Sequence, residues 1–134
     1  MASLKPLKAV AHNLAHQLGS TLNYWHDDYG IHHLANQAER LGLTEVIINV
    51  LDGSTTPPSF RQGIVGEIVD SLRSTLVQLS EKAGVPFDVV ASSVLIYTFT
   101  GRTGDGLPTY NCVSRITTKT GRTFESHLTE WHNL

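Results

Sequence analysis

Between residues 59 and 86 the chain carries a helix with both ends marked, and that helix limits what the rest can fold into. Ser59 and Gln62 match a capping box. Phe60, Ile64, Ile68, Leu72, Leu76, Leu79 and Ala83 follow at helical spacing, and Gly84 and Pro86 stop it. Gly63 and Gly66 lie one turn apart, which leaves room for another backbone to approach. This helix, predicted over residues 60–83, stands between one β-rich run and three others. Residues 45–51 are β-branched and nearly all apolar, broken by Asn49, and read as a strand. Residues 91–100, 109–118 and 122–130 read as a three-strand antiparallel meander, with a Gly-rich connection at 101–107 and a tight hairpin at Thr120-Gly121.

Two more helices precede the first strand. Leu4, Leu7, Ala11, Leu14, Leu18, Leu22 and Trp25 form one amphipathic stripe over residues 4–25, with Ser3 as a predicted N-cap. Residues 26–30 break it, with Asp27 or Asp28 capping the next helix. Ile31, Leu34, Ala35, Ala38 and Leu41 form the second stripe, and Gly42 ends it, while His32 and His33 point away from that stripe. The expected architecture is therefore α+β: two N-terminal helices, a strand, a long helix, then a three-strand antiparallel meander, forming one sheet with helices packed on it. The crossover through residues 59–84 permits one parallel pairing with strand 45–51. The 134 residues form a single domain with no repeat or interdomain linker.

The final hairpin is the least determined part of that pattern. A two-residue loop at Thr120-Gly121 pairs Lys119 with Arg122 and sets Ser114 opposite His127. Neither face is then cleanly apolar, Ile116 and Trp131 are stranded, and a partner covering one face is expected. The back of the first helix points the same way. From Ala9 to His26 there is no Lys, Arg, Asp or Glu, so a face of His12, Asn13, His16, Gln17, Ser20 and Asn23 is expected to be partly covered.

Charged residues make up 16% of the chain, against about 25% in an average protein. The net charge of −2 gives no basic field to hold nucleic acid. No apolar run approaches the roughly 18 residues of a membrane span, and the N-terminus lacks the apolar core of a signal peptide. With a single cysteine, Cys112, no intrachain disulfide forms, and a cytoplasmic location is the expectation.

Two stretches carry residue types suited to chemistry. Five of the seven histidines lie between His12 and His33. His12 and His16 are four apart on one helix face, and His26 and Asp27 complete a candidate metal set, for which a divalent ion such as zinc is the natural occupant. No HExxH glutamate accompanies them, so the general base of a metalloprotease is missing. The loop after strand 45–51 offers Asp52, Ser54, Thr55 and Thr56 beside a predicted helix start, a place where a small anionic ligand could sit. It has neither a Walker lysine nor a GxGxxG spacing, and the glycines of 101–107 lead into a strand rather than a helix. Ser114, Glu125 and His127 form a nominal hydrolytic set with no evident oxyanion hole.

The sequence thus names no reaction. Its leading expectation is a small homo-oligomeric binding or structural domain, a dimer or higher, that needs no cofactor. The alternative is a small metal-dependent enzyme or sensor built on the His/Asp cluster of residues 12–33.

Overall fold

The computed structural model describes residues 4–24 and 31–129. The elements run α1 (Leu7–Tyr24), α2 (Ile31–Arg40), β1 (Glu45–Asn49), β2 (Thr55–Thr56), α3 (Ile64–Lys82), β3 (Val90–Arg102), β4 (Pro108–Thr118) and β5 (Thr123–Thr129). The five strands form one sheet in the order β2-β1-β3-β4-β5, and every pairing is antiparallel. The α+β class and the helix-on-sheet packing are as the sequence predicts. Ser3, Trp25, His26, Asp27, Asp28, Gly30 and Trp131 lie outside the described residues.

The parallel pairing does not form, for a topological reason. Within the 52–58 stretch, expected to be loop throughout, Thr55 and Thr56 pair back onto Ile48 and Ile47. That short strand already reverses the chain. Helix α3 then returns it to the far end of β1, so β3 enters antiparallel, with Asn49 opposite Val94 and Glu45 opposite Thr98. Asn49 ends β1 by its own chemistry: its Oδ1 accepts the Leu51 N–H at 3.2 Å, an Asx turn.

The helices stop where their glycines predict. Leu43 N–H reaches the Ala38 carbonyl and Gly42 N–H the Glu39 carbonyl. At the end of α3 the same pair of bonds runs from Val85 to Ser80 and from Gly84 to Glu81. Both ends are Schellman motifs.

The start of α3 differs. The capping box does not form: the helix begins at Ile64 with Gly63 as N-cap and no side-chain cap. Pro58–Arg61 is instead a separate 3₁₀ turn, and Ser59 Oγ donates to Gln37 Oε1 of α2 at 3.1 Å. This turn gives α2 a second buried face. His33 and Gln37 are buried against it, the His33 ring centroid lying 6.2 Å from that of Phe60. His33 therefore points inward, contrary to expectation. Leu41 falls past the end of α2 and is 52% exposed.

One core lies between the helices and one face of the sheet. Leu7, Leu14 and Leu18 of α1, Ile31 and Leu34 of α2, and Val65, Val69, Leu72 and Leu76 of α3 meet Val46, Ile48, Leu95, Tyr97, Tyr110, Cys112 and Ile116 of the strands. The α3 stripe centres on Val65 and Val69, with Ile68 and Leu79 at its margin. Phe60 lies in the 3₁₀ turn outside the helix, and in the first turns of α3 the buried positions are Val65 and Val69.

The hairpin register is the main correction. Thr117 pairs with Thr123 and Ser114 with Ser126, one residue away from the predicted alignment. The loop has three residues, Lys119, Thr120 and Gly121. It is closed by Thr118 N–H to the Arg122 carbonyl and Gly121 N–H to the Thr118 carbonyl. Gly121 takes φ 90°, the left-handed position of the three-residue hairpin. A slip of one moves every β5 side chain to the other face. Phe124, Ser126 and Leu128 thereby join Cys112, Ser114 and Ile116 on the core face, and Ile116 is fully buried within its own chain.

Among the described residues no helix packs on the other sheet face. Ile47, Ile96 and Val113 align in one cross-strand row, with Val94 in the next. All four are partly buried, yet none belongs to the core or packs against it.

Candidate functional site

Helix α1 crosses the core face of β4 and β5 and carries its histidines outward, because its apolar stripe is spent on the core. His12 and His16 are both exposed in the chain, so the described residues do not cover the uncharged back face as the sequence predicts. Their rings lie parallel, 6.3 Å between centroids with 9° between planes. His12 Nδ1 is 3.0 Å from Ser126 Oγ on β5, so one of its two ring nitrogens is already engaged with a hydroxyl. Among the described residues no group of three or more His, Cys, Asp or Glu side chains gathers where an ion could be held. His26 and Asp27, the other half of the predicted set, lie outside those residues.

The predicted anion loop keeps its donors for itself. Asp52 Oδ1 accepts the Ser54 N–H at 2.8 Å, and the Ser54 hydroxyl and amide together hold the Asp52 carboxyl below its usual range. Thr55 Oγ1 is buried and donates to the Pro57 carbonyl at 2.9 Å. Thr56 is exposed at the sheet edge. Helix α3 begins eight positions beyond Thr56, so its N-terminal amides do not adjoin this loop in sequence. Gly53 of this loop packs against the Arg61–Asp70 ion pair, which joins the Pro58–Arg61 turn to α3. The glycine-rich 103–107 loop is likewise self-satisfied. Thr103 N–H bonds the Leu107 carbonyl, and Arg102 ties the hairpin to α2 through Glu39 and Asn36.

The nominal hydrolytic set is split by the corrected register. Ser114 is buried on the core face, while Glu125 and His127 lie on the open one. There Arg115 Nε donates to Glu125 Oε1 at 2.7 Å, and His127 Nε2 is 3.1 Å from Glu125 Oε2. The Arg115 hydrogen bond holds the Glu125 carboxyl below its ordinary range, with His127 adding to it.

Cys112 faces Tyr97 across the β3–β4 ladder. Burial pushes its thiol up to about 12. At pH 8 about one thiol in ten thousand is then thiolate, the form that reacts. Native protein is expected to resist iodoacetamide for hours and to label within minutes once unfolded. Labelling of the native chain at the rate of a free thiol would contradict this packing.

Two features are not read from the sequence. One is the sheet face that the described helices leave uncovered. The other is a cavity of about 430 Å³ beside the start of α1, lined by Lys5, Lys8, Ala9, His12, Asn13 and Ser126. Lys8, Ala9, His12 and Asn13 share a helix face by their spacing, which is legible. Ser126 arrives only through the β5 register, which is not. Comparison with protein-family models, with characterised proteins and with solved structures gives no match. No helix among the described residues is long and apolar enough to cross a membrane.

Proposed function

We propose that this domain works as half of a closed pair of identical chains, joined through the open face of its sheet, and serves as a binding or structural module in that form. The observation that carries the reading is the row Ile47–Ile96–Val113, with Val94 beside it, lying on a face that the described helices leave uncovered. Around it stand Thr98, Asn111, Thr117, Glu45, Arg115, Glu125 and His127. An apolar centre with a polar rim is the anatomy of a protein interface.

Two arguments favour a second copy as the occupant. The face carries both signs of charge, already paired in Arg115–Glu125, so it meets itself without like-charge repulsion. Such self-complementary contact is what a twofold pair requires. The area also suffices. From strand spacing and rise, β1, β3, β4 and β5 present roughly 550 Å² per copy, about 1,100 Å² in all, just above the roughly 1,000 Å² of a specific interface. The stranded Ile116 does not contribute to this reading, since its own chain buries it.

Light scattering on a sizing column tests the assembly. The wild-type chain is expected at twice its 14.7 kDa at micromolar concentration. Ile96→Arg is expected at 14.7 kDa with an unchanged far-ultraviolet spectrum. A wild-type mass of one chain at about 100 µM, well above the Kd of an ordinary specific pair, would overturn the proposal.

A further inference from the structure

The cavity beside α1 has no part in that pairing, because it lies on the helix side of β5, and a ligand there is independent of the assembly. Its lining contains three basic side chains, Lys5, Lys8 and His12, with Asn13 and Ser126, and no Asp or Glu among the described residues. Most of the lined surface is nevertheless carbon, as exposed lysine stems allow. The cavity is an open groove of about 430 Å³, walled by exposed residues of the α1 end and floored by buried Ser126, with a volume comparable to that of small-molecule sites. The acidic group nearest in sequence on β5, Glu125, is on the opposite sheet face and is bonded to Arg115.

We infer that this cavity binds an amphiphilic monocarboxylate, with an apolar body along Ala9 and the lysine stems and the carboxylate at Lys8 and His12. Positive charge alone would suit any anion, and carbon alone any apolar body. Their combination selects a ligand with one charged end. His12 is prepared for the role by its bond to Ser126. A carboxylate at Nε2 selects the tautomer in which the Ser126 hydroxyl donates to Nδ1 and the ring proton sits on Nε2, a donor for its oxygen. The same bond fixes the ring against rotation, so less freedom is lost on binding. Asn13, one residue on, adds an amide donor at the same wall.

Titration of the ¹⁵N-labelled full chain with sodium octanoate, below its micelle-forming concentration, tests this. Acetate and 1-octanol present the two halves of the ligand separately. Octanoate is expected to give saturable shifts centred on Lys8, His12, Asn13 and Ser126, with affinity at least about tenfold above either half. Lys8→Gln is expected to weaken it by about threefold, as for an exposed charge pair. Ser126→Ala, which frees the His12 ring and removes no charged group, is expected to weaken octanoate while the rest of the amide spectrum stays in place. Equal affinity for octanol and octanoate would reduce the cavity to an apolar patch and overturn the inference. So would shifts centred elsewhere, or octanoate binding unchanged in Lys8→Gln/His12→Gln. Co-sedimentation with phosphatidylglycerol vesicles without any response to octanoate would assign the basic groups to a membrane surface instead, and would equally overturn it.

Discussion

Ile116→Ala is expected to lower the free energy of unfolding by about 2–5 kcal/mol, and Val113→Ala by less than about 1 kcal/mol. The two residues are both on β4, three apart, so strand propensity does not separate them. What separates them is the face. Ile116 is fully buried among the core residues, opposite Ser93 on β3 and Phe124 on β5. Truncating it removes buried methylenes and leaves a cavity that a close-packed core closes only in part. Val113 lies opposite Ile96 and His127 on the open face, where its loss is relieved by solvent. Urea unfolding at protein concentrations where the chain is monomeric reads the difference directly. Equal losses at the two positions would contradict the assigned faces. A larger loss at Val113 only at high concentration would instead report the paired state.

The same strand explains how far the sequence can be read. Each helix and each long strand is legible, because its apolar spacing and its glycine stops are local signals. The register of β5 is not, because it depends on one choice of loop. A two-residue loop places His127 opposite Ser114; a three-residue loop, with Gly121 at positive φ, places Ser126 there. The sequence Lys119-Thr120-Gly121-Arg122 accommodates either. The choice is settled by burial, since only the longer loop puts Phe124 and Leu128 beside Cys112 and Ile116. The shorter loop leaves Ile116 stranded and makes a partner chain seem necessary for the wrong reason. The open face that does invite a partner comes from aligning Ile47, Ile96 and Val113, which needs the β1–β3 and β3–β4 registers together. For the candidate site, His12 is found by its helical position, while its bond to Ser126 depends on that same long-range register. The anion reading of Asp52, Ser54, Thr55 and Thr56 relies on an adjacent helix start. A turn with its own hydrogen bonds and a 3₁₀ segment intervene.

Gly66→Ala is expected to destabilise the protein by about 1–3 kcal/mol, although glycine to alanine inside a helix ordinarily stabilises by about 0.5–1 kcal/mol. Gly66 is in the first turn of α3 and is buried. A Cβ there would lie 2.4 Å from the Arg61 carbonyl oxygen and 3.3 Å from its carbon. The obstacle is backbone, so no rotamer change relieves it. The 3₁₀ turn Pro58–Arg61 must lift away from α3, and that turn holds buried Phe60 and the Ser59–Gln37 bond to α2. Lifting it strains the contacts of His33 and Gln37 as well, which is why the steric cost exceeds the gain in helix propensity. For a chain of this size each kcal/mol lowers Tm by about 3–5 °C, so a scanning calorimeter resolves the effect. Arg61→Ala separates the side chain from the backbone. It removes the Arg61–Asp70 ion pair, a surface contact worth about 0–1 kcal/mol, and leaves the carbonyl in place. The double variant is then expected to keep the Gly66→Ala loss, falling short of the sum by no more than the ion pair's own contribution of about 1 kcal/mol, because lifting the turn already strains that pair. Rescue of Gly66→Ala by Arg61→Ala would move the clash to the side chain, and a rise in Tm for Gly66→Ala alone would remove the close approach altogether.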